Sequence, residues 1–236
     1  RNTAASGVIP QISCIMGPCA GVSVYSPALT DFIIMVEKQS QMVITGPKVI
    51  QDVTGETVTL EELGGSKVHS RVTGQAHFVT KTDQQSIELI RYLLSFLPSN
   101  HDETPPSRPC DDDPKRKNDQ LTDIVPAEFK RAYDMHRVIT EVVDKNEFLE
   151  ILPEFAPSII TGLARMGGDT VGIVANQPSI MAGCLDYNSS DKAARFIRFC
   201  DCFNIPLVNL VDVPGYFPGV DQEHAGIIRL GAKMLY

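Results

Sequence analysis

Hydrophobic positions in this chain fall into short continuous runs rather than long helical stripes. Gly7–Met16 and Asp31–Val36 are mostly apolar and are bounded by glycine, proline or small residues, as expected of buried parallel strands. The segment between them, Met16–Ala28, reads as a tight Gly-Pro turn followed by a short helix. Gln41–Thr45 is expected to be another strand. Gly46-Pro47 opens a helix with proline at its first position. Thr59-Leu-Glu-Glu62 forms a capping box, and Gly64-Gly65 stops the short helix it begins. Ser66–Thr82 shows no period and is expected to be irregular. Asp83 caps an amphipathic helix with Ile87, Ile90, Leu94 and Leu97 on one face, ended by Pro98.

Beyond Pro98 the pattern lapses. Residues 98–124 are rich in proline and charge and predict an extended, solvated linker. Periodicity returns with a helix over Tyr133–Val143 and a strand over Glu147–Leu152. Ile159–Met166 and Thr170–Ala175 are joined by Gly167-Gly168, which predicts a hairpin, although the first run also suits a short helix. Ser189 or Ser190 caps a helix with core face Ala193, Phe196, Ile197 and Cys200. Pro206–Val211 follows as a strand, making 171–211 a βαβ unit. Ligands in such units sit beyond the carboxyl ends of the strands, here Asn176–Asp186 and the Gly/Pro-rich Asp212–Gln222. A last helix is expected over Ala225–Tyr236. The domain expectation is therefore 1–97, a linker at 98–124, and 125–236.

Composition narrows the classes. The 236 residues carry a net charge of −8, which argues against nonspecific nucleic-acid binding through a basic face. No apolar run approaches the ~20 residues of a membrane span. The six cysteines show no zinc spacing, and several lie in apolar runs, which predicts reduced, buried thiols. Arg1 in place of methionine, and a helical pattern running to Tyr236, suggest a piece of a longer chain.

Side-chain chemistry is sparse. Cys200-x-Cys202 has no partner pair and reads as packing. His69 and His77 read as surface or structural histidines, with one of them lining a site as the alternative. His224, beside Glu223 after the Gly/Pro loop, is the better-placed histidine, catalytic or plain surface. Asp111–Asp113 read as solvated charge. Gly21 lacks the strand–GxGxxG–helix context of a dinucleotide site, there is no GxSxG elbow or Walker pattern, and Ser26 has no evident base. What remains is main-chain chemistry. Small residues in Met16–Ala28 let a ligand approach the backbone, and N–H groups opening a helix favour a developing anion.

Several stretches resemble one family. They are Thr3–Ser13, Met16–Gly21, Val24–Asp31, Ile44–Pro47, Glu62–Gly65, Gly172–Pro178, Gly183–Asp186, Arg195–Asp201, Asp212–Gly219 and Gly226–Tyr236. Together they are similar to the carboxyltransferase (β) subunits of biotin-dependent acyl-CoA carboxylases, the propionyl-CoA carboxylase group in particular. The resemblance implies an α/β, ClpP/crotonase-like fold with two related domains, each present in part. It implies a hexamer with active sites between subunits, within an ATP-dependent holoenzyme. The implied reaction moves a carboxyl group between carboxybiotin and an acyl-CoA, most simply propionyl-CoA, through an enolate held by main-chain N–H groups.

By the same resemblance, the first donor pair falls on Gly21 and Val22 as catalytic residues, where the family carries Gly-Gly. The second lies in a Gly-Gly-Ala-Tyr segment placed after Tyr236. Substrate contacts fall on Ala20, Gly162, Arg165 and Gly168, with Arg165 meeting a CoA phosphate or a surface ion-pair partner. Biotin arrives on a partner, a biotin carboxylase or biotin carboxyl carrier subunit, and no metal, nucleic acid or membrane is implied. The cytoplasm is the expected compartment, with the mitochondrial matrix as the alternative. Two other functional readings stay open. One is the carboxyltransferase of a biotin-dependent methylmalonyl-CoA-type decarboxylase, and the other is a non-catalytic assembly subunit.

Overall fold

A computed structural model of the chain describes residues 1–113, 115–128 and 131–235. Its contacts divide the chain into two compact units, Arg1–Ser95 and Phe96–Tyr236.

The first unit opens with α1 (Asn2–Ala5), β1 (Ile12–Ile15) and β2 (Pro18–Ala20), then a 3-10 turn at Gly21–Val24 and α2 (Tyr25–Ala28). β3 (Phe32–Val36) and β4 (Gln41–Val43) follow, then α3 (Pro47–Thr54), α4 (Leu60–Gly64), α5 (Ser66–Arg71), β5 (Phe78–Thr80) and α6 (Asp83–Leu94). β1, β3 and β5 form a parallel sheet with β3 central, and every residue of β3 is buried. β2 and β4 make a separate parallel pair, Ala20 opposite Val43.

Several expectations are corrected in this unit. The first strand is confined to Ile12–Ile15, and Pro18, expected in a turn, already belongs to β2. Ser66–Thr82 is not irregular. It holds α5, whose buried residues are Ser66 and Ser70, so its inward face is polar and gave no apolar period, and β5 on the edge of the sheet. α6 is capped by the Thr82 hydroxyl, which accepts from Gln85 N at 3.2 Å, not by Asp83. Its buried positions are Ser86 and Leu93, while Ile87 and Leu94 are exposed.

The second unit contains α7 (Gln120–Ile124), α8 (Met135–Val142), β6 (Phe148–Ile151), β7 (Ile159–Met166), β8 (Asp169–Asn176), α9 (Tyr187–Cys202), β9 (Leu207–Leu210), α10 (Val220–His224) and α11 (Ile227–Ala232). The sheet order is β6-β7-β8-β9, antiparallel except for the parallel β8–β9 pair. The hairpin and the βαβ unit therefore stand as the pattern predicts. Met135, Ile139 and Val143 pack with Ile160, Ala164, Val171, Ile173 and Ala175 to form a core.

Corrections here are local. Asp186, not Ser189 or Ser190, caps α9; Asp186 Oδ1 accepts from Ser189 N at 2.7 Å, and Ser189 Oγ accepts from Asp186 N at 2.7 Å. The last helix is broken at Gly226, which is left-handed (φ 86°), and Tyr236 lies outside the described residues. The 98–124 stretch is held to the second unit. Arg108 N donates to Gly168 O at 3.0 Å, and the Arg116 guanidinium donates to Glu141 O at 2.7 Å. Of the six thiols only Cys200 is buried, and burial pushes it up; Cys110 and Cys202 are exposed.

Candidate active site

β2 brings the chain to Ala20 in extended conformation (φ −137°, ψ 154°), and Gly21 then turns it through the left-handed region (φ 69°) into the 3-10 turn. A Cβ on Gly21 would come no nearer than 4.0 Å to Ile44 O, so backbone conformation, not space, favours glycine here. Val24 anchors the turn by packing into the core with Ile15, Ile33, Met35 and Met42. Tyr25 N donates to Val22 O, and the Ser23 hydroxyl donates to Ala20 O at 2.6 Å. With one end pinned by Val24, Ala20 and Val22 are left exposed, Val22 at 83%. The N–H groups that open a 3-10 turn have no acceptor within it, and Gly21 and Val22 open this one. The turn also lies at the carboxyl end of a parallel strand pair, where α/β ligand sites form.

In the second unit, the carboxyl ends of β8 and β9 meet in a hydrogen-bonded loop pair. Asn176 Nδ2 donates to Gly183 O at 3.1 Å, and Asn176 Oδ1 accepts from Asp212 N at 3.3 Å. The Tyr133 hydroxyl donates to Asp212 Oδ2 at 2.8 Å; burial first, and then Asp212, push the phenol up to about 12. Gly183 is left-handed (φ 77°), and a Cβ there would lie 2.5 Å from Asp212 O. Leu185 and Phe217 close the loop pair, Phe217 N donating to Leu185 O at 2.8 Å.

The three remaining expected substrate residues lie along the β7–β8 hairpin, each committed to packing. A Cβ on Gly162 would meet Phe148 Cε2 at 2.5 Å and Leu149 O at 2.6 Å, so this glycine lets β6 close on β7. Gly168 (φ 88°) would collide with Arg108 O at 2.0 Å, and its N–H donates to Asp144 Oδ2 at 2.7 Å. Arg165 is buried, not at the surface. Its guanidinium donates to Pro106 O and to Gly168 O, and stands 4.7 Å over the Phe96 ring. Both expectations for Arg165, a phosphate contact and a surface ion pair, meet a side chain held by carbonyls and an aromatic face.

Sequence reasoning missed a polar network under the same sheet. His136 contacts Glu150 Oε2 through Nε2 at 2.9 Å and Asp134 Oδ1 through Nδ1 at 2.8 Å. Gln177 Nε2 donates to Asp134 at 2.6 Å, while Gln177 Oε1 accepts Met135 N at 3.0 Å. The Glu150 hydrogen bond raises His136 to about 9, with burial opposing and Asp134 assisting. Nearby, the buried Lys192 ammonium donates to the carbonyls of Leu152, Phe155 and Ile159 at 2.8–2.9 Å. Burial lowers it to about 8, against the charge of Glu150. Leu152 and Ala156, in the segment that supplies these carbonyls, are left-handed (φ 57° and 45°), a strained path spanned by the three ammonium hydrogen bonds. The available signal was Asn176-Gln177 at the end of a strand; a lysine in an amphipathic helix gives none.

His69 and His77 are structural. His77 Nδ1 accepts from Ile33 N at 3.1 Å, and His69 Nε2 contacts Met42 O at 2.8 Å. His224 ends α10 at the surface. Among the described residues there is no group of three or more His, Cys, Asp or Glu placed to hold a metal ion, and no helix is long and apolar enough to cross a membrane.

A family model for the carboxyl transferase domain matches residues 1–236. The chain is 60% identical over its whole length to the methylmalonyl-CoA decarboxylase subunit alpha of Veillonella parvula, covering 46% of that protein. It is 57% identical, again over its whole length, to the propionyl-CoA carboxylase carboxyltransferase subunit of Haloferax mediterranei, covering 46% of it. The fold superposes with a TM-score of 0.97 on transcarboxylase 12S, a hexameric multienzyme core solved with hydrolysed methylmalonyl-coenzyme A bound; the identity is 54%, covering all of this chain and 45% of that one. The chain thus spans about half the length of the relatives it matches. Its α/β, crotonase-like class agrees with these neighbours.

Proposed function

Since the chain belongs to the carboxyl transferase family, we propose that its full-length protein moves a carboxyl group between biotin and an acyl-CoA, with the Gly21–Val22 turn supplying main-chain donors to an oxyanion. The observation that carries this reading is that turn. It is a left-handed glycine at the carboxyl end of a parallel pair, with its exposed second residue fixed from below by Val24. A side-chain acid or base is not required. The α-carbon of the acyl thioester would exchange a proton for the carboxyl group, with biotin, when bound, as carboxyl donor and proton acceptor. The thioester oxygen carries the enolate charge meanwhile, and preorganised N–H donors at such an oxygen contribute roughly 3–4 kcal/mol each. A ureido oxygen also accepts N–H donors, so the donor chemistry of this turn fits biotin as well as the thioester. When bound, biotin supplies the carboxyl reservoir. It would be carried on a partner subunit or domain, and the working form would be a hexamer in the cytoplasm. Ala20 flanks the donors; Gly162, Gly168 and Arg165 would act on the acyl-CoA indirectly, by holding the second unit's hairpin.

The direction of transfer has a second reading. The 60% identity to a decarboxylase subunit favours a protein that withdraws the carboxyl group from a malonyl-type thioester. Both readings share one test. Full-length protein incubated with methylmalonyl-CoA and free biotin should form propionyl-CoA at a rate that depends on biotin. A folded protein that leaves methylmalonyl-CoA unchanged would overturn both and favour a non-catalytic assembly role.

A further inference from the structure

Val22 and Ile44 are exposed apolar side chains on the first unit, at 83% and 65%. They are not scattered. β2 and β4 are paired in parallel with Ala20 opposite Val43, so the two strands end together. Ile44 directly follows the end of β4, and Val22 follows the end of β2 by one glycine. Tyr25, also exposed, opens the helix after the turn. Apolar side chains therefore emerge at the carboxyl end of this strand pair, on and beside the turn. Val22 carries one of the turn's opening N–H groups itself, so its side chain is fixed relative to whatever oxygen the donors hold. It is β-branched, with little χ1 freedom, and the residue is tied through its carbonyl to Tyr25 N. A stiff branch beside an oxyanion site discriminates by size among the groups on the adjoining carbon.

We infer that Val22 is a specificity-determining residue, selecting acyl thioesters with a small substituent on the α-carbon. This rests on the reading of Gly21–Val22 as the donors to the thioester oxygen. The side chain at 22 then lies against the α-carbon, where hydrogen, methyl or ethyl distinguishes one acyl-CoA from the next. A hydrophobic wall separates neighbouring homologues by roughly 10- to 200-fold per methylene. The N–H donor is common to every residue but proline, so substitutions at 22 change the wall and keep the donor.

The test uses full-length wild type and the variants Val22→Gly, Val22→Ala and Val22→Ile. Biotin-dependent loss of the carboxyl group is measured with malonyl-CoA, methylmalonyl-CoA and ethylmalonyl-CoA. The ratio of kcat/KM for ethylmalonyl-CoA to that for malonyl-CoA should rise by about tenfold in Val22→Gly, rise less in Val22→Ala, and fall in Val22→Ile. The ordered series across three side chains keeps the result readable if the glycine variant is unstable. Wild-type turnover with ratios unchanged across the series would overturn the inference and leave the donor reading standing. So would an effect confined to the KM for biotin. No turnover of any substrate by folded wild type would overturn the function itself, a separate outcome.

Discussion

The guanidinium of Arg165 donates to the carbonyls of Pro106 and Gly168 and stacks 4.7 Å over Phe96. A planar fork with several donors suits this site, and an ammonium does not reproduce it. Arg165→Lys should therefore lower stability by about 1–2 kcal/mol, through the lost hydrogen-bond geometry and weaker stacking. The same variant should leave the KM for an acyl-CoA, relative to the matching acyl-pantetheine, unchanged. A several-fold rise in KM confined to the CoA form would return Arg165 to a phosphate contact. The residue was conspicuous in the sequence because it sits beside Gly167-Gly168. What the sequence did not carry was Pro106 coming back to accept from it, because proline and charge in the 98–124 stretch read as solvated chain.

Between elements, α9 packs closely on β8. A Cβ on Gly172 would lie 2.7 Å from Cys200 Sγ, 3.0 Å from Leu207 Cδ2 and 3.2 Å from Phe196 Cε1. Gly172→Val forces the helix off the sheet and should cost roughly 1–3 kcal/mol, read as a lower urea midpoint. A midpoint unchanged from wild type would mean that α9 has room to retreat. The βαβ unit around this contact was readable because its strands are short apolar runs and its hairpin turns on Gly167-Gly168 (φ 62° and 88°). α5 was not readable, since the face it buries holds Ser66 and Ser70. The face of α6 was misread for a related reason. Its apolar residues outnumber its buried positions, and Ile87 and Leu94 stay exposed. The turn after Ala20 was legible because glycine and small residues interrupt two apolar runs. Lys192 was not, because its burial depends on three carbonyls brought from Leu152–Ile159.

At the scale of the molecule, two shifted bases face one carboxylate and give stability an unusual dependence on pH. His136 titrates near 9 in the folded state instead of its ordinary 6.5, because Glu150 and then Asp134 favour its charged form against burial. Its contribution is fully present below 6.5 and is lost as pH rises through about 9. Lys192 moves the other way, from 10.5 down to about 8, because burial disfavours the ammonium more than Glu150 restores it. Its contribution is present above 10.5 and is lost as pH falls through about 8. In the second unit, stability should therefore decline as His136 deprotonates and be offset on the alkaline side as Lys192 does. His136→Gln removes the first arm and should flatten the decline between 6.5 and 9. Lys192→Met removes the second arm. It should also lower stability at neutral pH by about 2–3 kcal/mol, since three buried carbonyls lose charged donors. Urea unfolding of the full-length protein and both variants across this range separates the arms. A His136→Gln curve running parallel to wild type would show that the imidazolium does not link folding to pH. A Lys192→Met variant as stable as wild type would show that the Leu152–Ile159 loop holds its strained path without the ammonium.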